Sequence, residues 1–110
     1  DVAIVGGGPA GASCALHLVR AERVDPARIV LLDKARFPRD KPCAGAVSRW
    51  GVEVLERLGV SLGVPRVEMR GLRVASDGRG AVAFRNGLGL VVRRDAFDAA
   101  LLDEVRAAGV

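Results

Sequence analysis

An α/β fold is predicted by three features: an apolar run, Val2 to Val5, a glycine-rich turn directly after it, and a second apolar run, Ile29 to Leu32, that leads into an acid. A helical stretch separates the two runs, so strand, helix and strand read as a parallel βαβ unit. The rest of the chain reads as a second helix, an inserted antiparallel β-meander and a last helix.

Each element has its own signal. Val2 to Val5 contains no polar residue, as expected of a central parallel strand buried on both faces. Gly6-x-Gly8-x-x-Gly11 follows it. Gly6 permits the tight turn out of the strand, Gly8 lacks a Cβ and lets a pyrophosphate approach the backbone, and Gly11 lets the helix lie close to the strand. Pro9 suits the first helical turn, where its missing N–H is no loss. The free amides there and the positive end of the helix dipole would face phosphates.

The helix is expected from about Pro9 to Arg20 or Ala21, with Ala12, Ala15, Leu16 and Val19 inward. Cys14 reads as a small buried hydrophobe and His17 as a surface residue. Glu22 to Ala27 reads as a surface loop. The second strand then delivers Asp33, 33 − 11 = 22 residues after Gly11. That is close to the roughly 20 expected for an acid that binds a ribose hydroxyl. These features together describe a Rossmann-like dinucleotide site, against the plainer reading of a structural βαβ turn.

Beyond Asp33, prolines at 38 and 42 argue for an irregular loop leaving the nucleotide site. A second helix is expected from Val47 or Ser48 to Leu58, with Val47, Val54, Leu55 and Leu58 on one face, Trp50 packed within it and Gly59 ending it. Alternation at Val67, Met69, Leu72 and Val74, a turn at Asp77-Gly78, a strand Ala81 to Phe84, a turn at Asn86-Gly87 and a strand Leu88 to Val92 make the meander. The last helix is expected from Asp95, as its cap, to Ala108, with Phe97, Leu101, Leu102 and Val105 buried and Asp98 in its first turn.

Composition narrows the function. The chain has 110 residues, half of them hydrophobic, and a net charge of +4 spread among apolar runs. Scattered arginines fit a solvated surface with a phosphate partner better than a nucleic-acid surface. Cys14 and Cys43 have no metal-ligand spacing and read as free thiols. No leader is expected before the first strand, and no apolar stretch reaches the ~18 residues of a membrane span. A cytoplasmic protein, at most peripheral to a membrane, is expected. Gly109-Val110 reads as the entry to another strand, so residues 1–110 are expected to be the N-terminal part of a single domain, inactive alone.

Three separated motifs carry a family resemblance: Asp1-Val2-x-Ile4-Val5-Gly6-Gly7-Gly8-Pro9-Ala10-Gly11-x-x-x-Ala15 with Asp33, then Phe37-Pro38-x-x-Lys41-x-Cys43-Ala44-Gly45, then Val92-x-Arg94-x-x-Phe97-Asp98-x-x-Leu101. Together they resemble the geranylgeranyl reductase family of FAD-dependent oxidoreductases. The resemblance implies an FAD-binding domain in which Ala10 and its neighbours contact the pyrophosphate and Asp33 the adenosine ribose, with Lys34 among the cofactor-binding residues. It places Cys43, Ala44 and the backbone at Ala46 beside the cofactor, and Arg94 reaching toward it. Cys43 is the candidate catalytic residue, contributing shape and a weak S–H group; with one histidine in the chain, no base is evident to make it a nucleophile.

The implied reaction is hydride delivery from reduced flavin to a carbon–carbon double bond of a prenyl or lipid small molecule. Glycine commonly follows the cysteine in that family, whereas Ala44 does here. Related flavin monooxygenases and halogenases share the frame and vary this loop, and they form the alternative reading. A noncatalytic dinucleotide-binding module is the alternative of another class. An NAD(P)-binding Rossmann domain fits less well, because Pro9-Ala10 and the Arg94 segment resemble FAD proteins more closely.

Overall fold

The computed structural model describes residues 1–21, 23–61 and 63–110 of the chain; of the expected loop from Glu22 to Ala27, Glu22 lies outside them. Strand β1 (Val2–Val5), helix α1 (Pro9–Arg20) and strand β2 (Ile29–Leu32) form the βαβ unit, with β1 and β2 parallel and Val2 opposite Ile29. A single 3-10 turn (Pro26–Arg28) leads into β2, capped by the Asp25 carboxylate, which accepts from the Ala27 amide. Helix α3 (Arg94–Ala107) packs on α1, so Ala12, Ala15 and Leu16 meet the core that contains Phe97, Leu101, Leu102 and Val105. Full burial of a side chain such as Leu16 or Leu101 contributes about 1.5–3 kcal/mol.

The second face of the parallel pair is open. Val5 is 85% exposed and Leu32 53%, against the expectation of a strand buried on both sides. Val2, Ile4, Ile29 and Leu31 are the more buried set, and among the described residues nothing covers Val5, Val30 and Leu32 on the other. An apolar run sets which residues can be buried, and the elements present decide which are.

The second half of the chain departs further from expectation. Ala46–Ser48 is a strand, β3, where the start of a helix is predicted; α2 runs Arg49–Arg57, with the Ser48 hydroxyl accepting from the Gly51 amide as its cap. At the far end, Gly59 takes φ +63° and donates to Glu56, while Val60 donates to Leu55. This paired closure needs the left-handed residue that Gly59 supplies.

Trp50 is 70% exposed, not packed. Leu55, the buried residue of α2, lies five residues on, about 140° round the helix. Cys14 is likewise exposed, contrary to its reading as a buried hydrophobe. It is two residues from both Ala12 and Leu16, about 200° from the buried stripe.

Strands β4 (Arg66–Ser76) and β5 (Arg79–Val92) form a long hairpin closed at Asp77-Gly78, both at positive φ as a two-residue hairpin turn requires. The sheet order is β3-β5-β4, all antiparallel. Asn86-Gly87 is not a turn: β5 continues through it. Met69 pairs with Gly89 and Gly71 with Phe84, so residues 85–88 of β5 stand opposite Arg70 alone, a bulge in one strand. An Asn-Gly pair closes a hairpin only when its flanks pair with each other, and here both flanks pair with β4. The cap of the helix after β5 is Arg93, two residues before the expected Asp95, which sits inside the first turn and accepts from the Ala96 amide.

Candidate functional site

The glycine turn is built by three distinct backbone demands. Gly6 has φ +108°, a conformation side chains rarely adopt, and its amide donates to the Leu32 carbonyl at 2.7 Å, tying the turn to β2. At Gly11 a Cβ would lie 1.9 Å from the Gly6 carbonyl oxygen, so α1 approaches β1 as only glycine allows. Gly8 is different: it caps α1 with extended backbone (φ −75°, ψ −176°), and a Cβ there would meet only the Arg39 Nη2, at 3.5 Å. Its freedom is space and not φ. Pro9 occupies the first helical turn and no side chain caps it, which leaves the dipole's positive end facing outward.

Asp33 closes this turn from the end of β2. One carboxylate oxygen accepts from the Gly7 amide at 2.7 Å and the other from the Ala35 amide at 2.8 Å. The Ala35 bond first, then that of Gly7, holds its pKa below the ordinary carboxylate range. It is therefore an ionised acceptor with lone pairs left for hydroxyl donors. Gly6, Asp33, Lys34, Arg39 and Lys41 are among the residues that line a cavity of about 830 Å³.

A second cavity of about 580 Å³ adjoins it, with Asp40 and Lys41 on both linings. Cys43, Ala44 and Arg94 line this one, together with Val67 and Val92. What brings Cys43 to Arg94 is Gly45, buried at φ +73°, whose amide nitrogen lies 3.4 Å from the Cys43 Sγ and whose carbonyl accepts from Val92 at 3.0 Å. A Cβ on Gly45 would fall 1.9 Å from the Val92 carbonyl oxygen. The Cys43 thiol is held below its usual pKa, first by the Gly45 amide and then by Arg94. Ala46 belongs to β3, paired with Val91; it lines neither cavity, and neither do Gly8, Pro9, Ala10 or Gly11.

Arg94 is fixed by a carboxylate that sequence reasoning placed only as a first-turn acid. Asp98 is wholly buried and receives Arg94 Nε at 2.7 Å and Nη2 at 2.9 Å, a forked pair. This pair is the first cause of the Arg94 pKa being raised further. Arg39 reaches the same carboxylate, Nη2 to Oδ2 at 3.2 Å, with its guanidinium 4.6 Å from the Phe37 ring centroid. The i,i+4 spacing of Arg94 and Asp98 is a readable signal for their pairing; nothing local signals Arg39.

The residues fit a flavin dinucleotide in chemistry: an open backbone cradle at Gly8, an ionised acceptor for ribose, and a guanidinium with a thiol in the adjoining cavity. Residues 1–110 match the family described as DAO, FAD dependent oxidoreductase. The chain is 39% identical over 79 residues to a menaquinone reductase of Mycolicibacterium smegmatis, covering 71% of this chain and 18% of that protein. It is 38% identical over 79 residues to a menaquinone reductase of Mycobacterium tuberculosis, with the same coverage of 71% and 18%. A flavoprotein/dehydrogenase from Cytophaga hutchinsonii superposes on all of the chain with a TM-score of 0.71 at 25% identity, over 29% of its own length. A flavin-dependent brominase shares the fold at a TM-score of 0.73 and 24% identity, over 28% of its length. The chain thus spans less than a third of the length of each of these proteins.

Proposed function

The chain belongs to the FAD-dependent oxidoreductase family, with FAD as its cofactor, and from that premise we propose that the protein is a flavin-dependent reductase resembling geranylgeranyl reductases, acting on a double bond of a prenyl-bearing small molecule. The observation that carries the reading is the pair of adjoining cavities, one ending at the glycine turn and ionised Asp33, the other flanked by Cys43 and Arg94. The likeness to menaquinone reductases supports an isoprenoid substrate, since a menaquinone carries an isoprenoid chain with double bonds. The chain is one part of a larger FAD-binding domain in this reading; its open apolar sheet face fits that.

When bound and reduced, FAD supplies the hydride. The residues of this chain hold and orient it. Gly8 and the uncapped start of α1 receive the pyrophosphate, with Pro9 and Ala10 beside it and Gly11 setting the helix close. Asp33 accepts from the ribose hydroxyls, with Lys34 alongside. Arg94, locked by Asp98, presents a fixed positive charge at the second cavity, and Cys43 and Ala44 shape its wall, followed by Ala46 in β3. Cys43 gives shape and a weak donor there and takes no covalent step. The site lies on a protein in which, among the described residues, no helix is long and apolar enough to cross a membrane.

The test is anaerobic reoxidation of the reduced flavoprotein. A menaquinone is expected to return the flavin to its oxidised spectrum and to be recovered with one chain double bond saturated. Cys43→Ser is expected to keep its FAD and to change the rate of that reoxidation. Reoxidation only by oxygen, with hydroxylated or halogenated product, would instead assign the monooxygenase or halogenase alternative, which the fold shared with a brominase keeps in view. A protein that binds FAD yet never exchanges electrons would assign the noncatalytic one.

A further inference from the structure

Four basic side chains leave the segment between β2 and β3: Lys34, Arg36, Arg39 and Lys41. Three are exposed, and Arg39 alone turns inward, its side chain 18% exposed. Its burial is incompletely matched. The Asp98 carboxylate already holds Arg94 at 2.7 and 2.9 Å, so Arg39 shares an occupied partner at 3.2 Å. One buried negative charge thus faces two guanidiniums, and the further carboxylate whose charge reaches Arg39 is Asp33, already bound to two backbone amides. Taking a cation from water is costly unless it is fully paired, so an arginine that shares its one buried carboxylate is suited to a further anion.

Arg39 Nη1 is buried and, among the described residues, has no hydrogen-bond partner. Nη2 of the same group lies 3.5 Å from where a Gly8 Cβ would be, so the guanidinium borders the space over Gly8. Arg39 also lines the larger cavity with Gly6 and Asp33.

We propose that Arg39 is a phosphate ligand of the dinucleotide site, set beside Gly8 by Asp98, with its Nη2 edge donating to a pyrophosphate oxygen of the cofactor. This rests on the FAD reading above and assigns a residue to it. A phosphate oxygen supplies an acceptor and a negative charge in the geometry a guanidinium recognises. Asp98 then has two positioning tasks: it holds Arg94 at one cavity and Arg39 at the other.

The experiment measures FAD, ADP and adenosine affinities by calorimetry, with melting temperatures, for the intact protein and its Arg39→Ala and Arg39→Gln variants. Both variants are expected to bind FAD and ADP about ten- to a hundredfold more weakly and adenosine as the wild type does. The phosphorus NMR resonances of bound FAD are expected to shift. Where Arg39→Ala melts too low to assay, Arg39→Gln decides. FAD and ADP affinities equal to wild type in a folded variant overturn the proposal and leave the flavin reading standing; so does an equal loss for adenosine, which would mark Arg39 as structural. A wild-type protein that binds no FAD overturns both.

Discussion

Asp98→Ala is expected to destabilise the protein by about 3–5 kcal/mol, the cost of removing one member of a buried ionic cluster and leaving the others. The carboxylate is 0% exposed and is the acid that Arg94 and Arg39 share. Both arginine side chains are only 18% exposed. Without Asp98, two like charges face each other with little water, and repulsion adds to desolvation. Asp98 also sits in α3 beside Phe97 and Leu101, so the disturbance reaches the core. Urea unfolding of the intact protein checks this; a loss under about 1 kcal/mol, the range of exposed pairs, would contradict it. Flavin affinity is expected to fall together with stability, since both cavities lose their positioned arginine.

Gly11→Ala is the second large effect, expected to cost about 3 kcal/mol or more, because overpacking at a backbone contact cannot relax by a rotamer change. The added Cβ would lie 1.9 Å from the Gly6 carbonyl oxygen and 3.2 Å from the Ile4 Cγ2. To admit it, α1 must lift from β1, which moves the turn that both elements enclose. Against this stands the better helix propensity of alanine, worth at most about 1 kcal/mol, so the clash decides the sign. The expected result is a variant that melts well below the wild type or fails to fold, with its flavin lost. A melting temperature at or above the wild-type value would show that α1 does not need this approach.

The βαβ unit was legible because its signals are local. The extent of β1 and α1, the turn at Gly6, the close approach at Gly11 and the position of Asp33 follow from backbone requirements within one stretch of chain. What was not legible depends on partners far along the sequence. Strand β3 is three residues long and exists because Val47 pairs with Leu90; the close approach at Gly89, where a Cβ would lie 2.0 Å from the Val47 carbonyl oxygen, gives it room. Nothing in Ala46–Ser48 alone separates it from the helix it precedes. Asn86-Gly87 misleads for the same reason, since the pairing of its flanks with β4 decides its conformation. Cys14 and Trp50 are exposed because the buried stripes of short helices are narrower than their apolar content suggests.

At the site, the residues that touch backbone were readable and the charge cluster was not. Asp33 was marked by its spacing from Gly11 as an acid for ribose; the structure adds that it binds the Gly7 and Ala35 amides. The tight turn expected at Gly6 is there, at φ +108°, and Gly8 contributes the open space expected of a residue without a Cβ. Arg39 and Asp98 are brought together only when the loop after β2 folds across α3.

We hold that the Gly8 space receives the pyrophosphate of FAD, and flavin binding by the intact protein and its Gly8→Val variant decides the point. At φ −75°, with only the Arg39 Nη2 near its Cβ position, Gly8 accepts a side chain with little strain on the folded state. The valine would fill the volume that the phosphates need. The expected result is a wild type that retains oxidised-flavin absorbance through gel filtration and a variant of similar melting temperature that does not. Equal flavin occupancy in the two proteins, or a wild type that takes up no flavin, would contradict the claim.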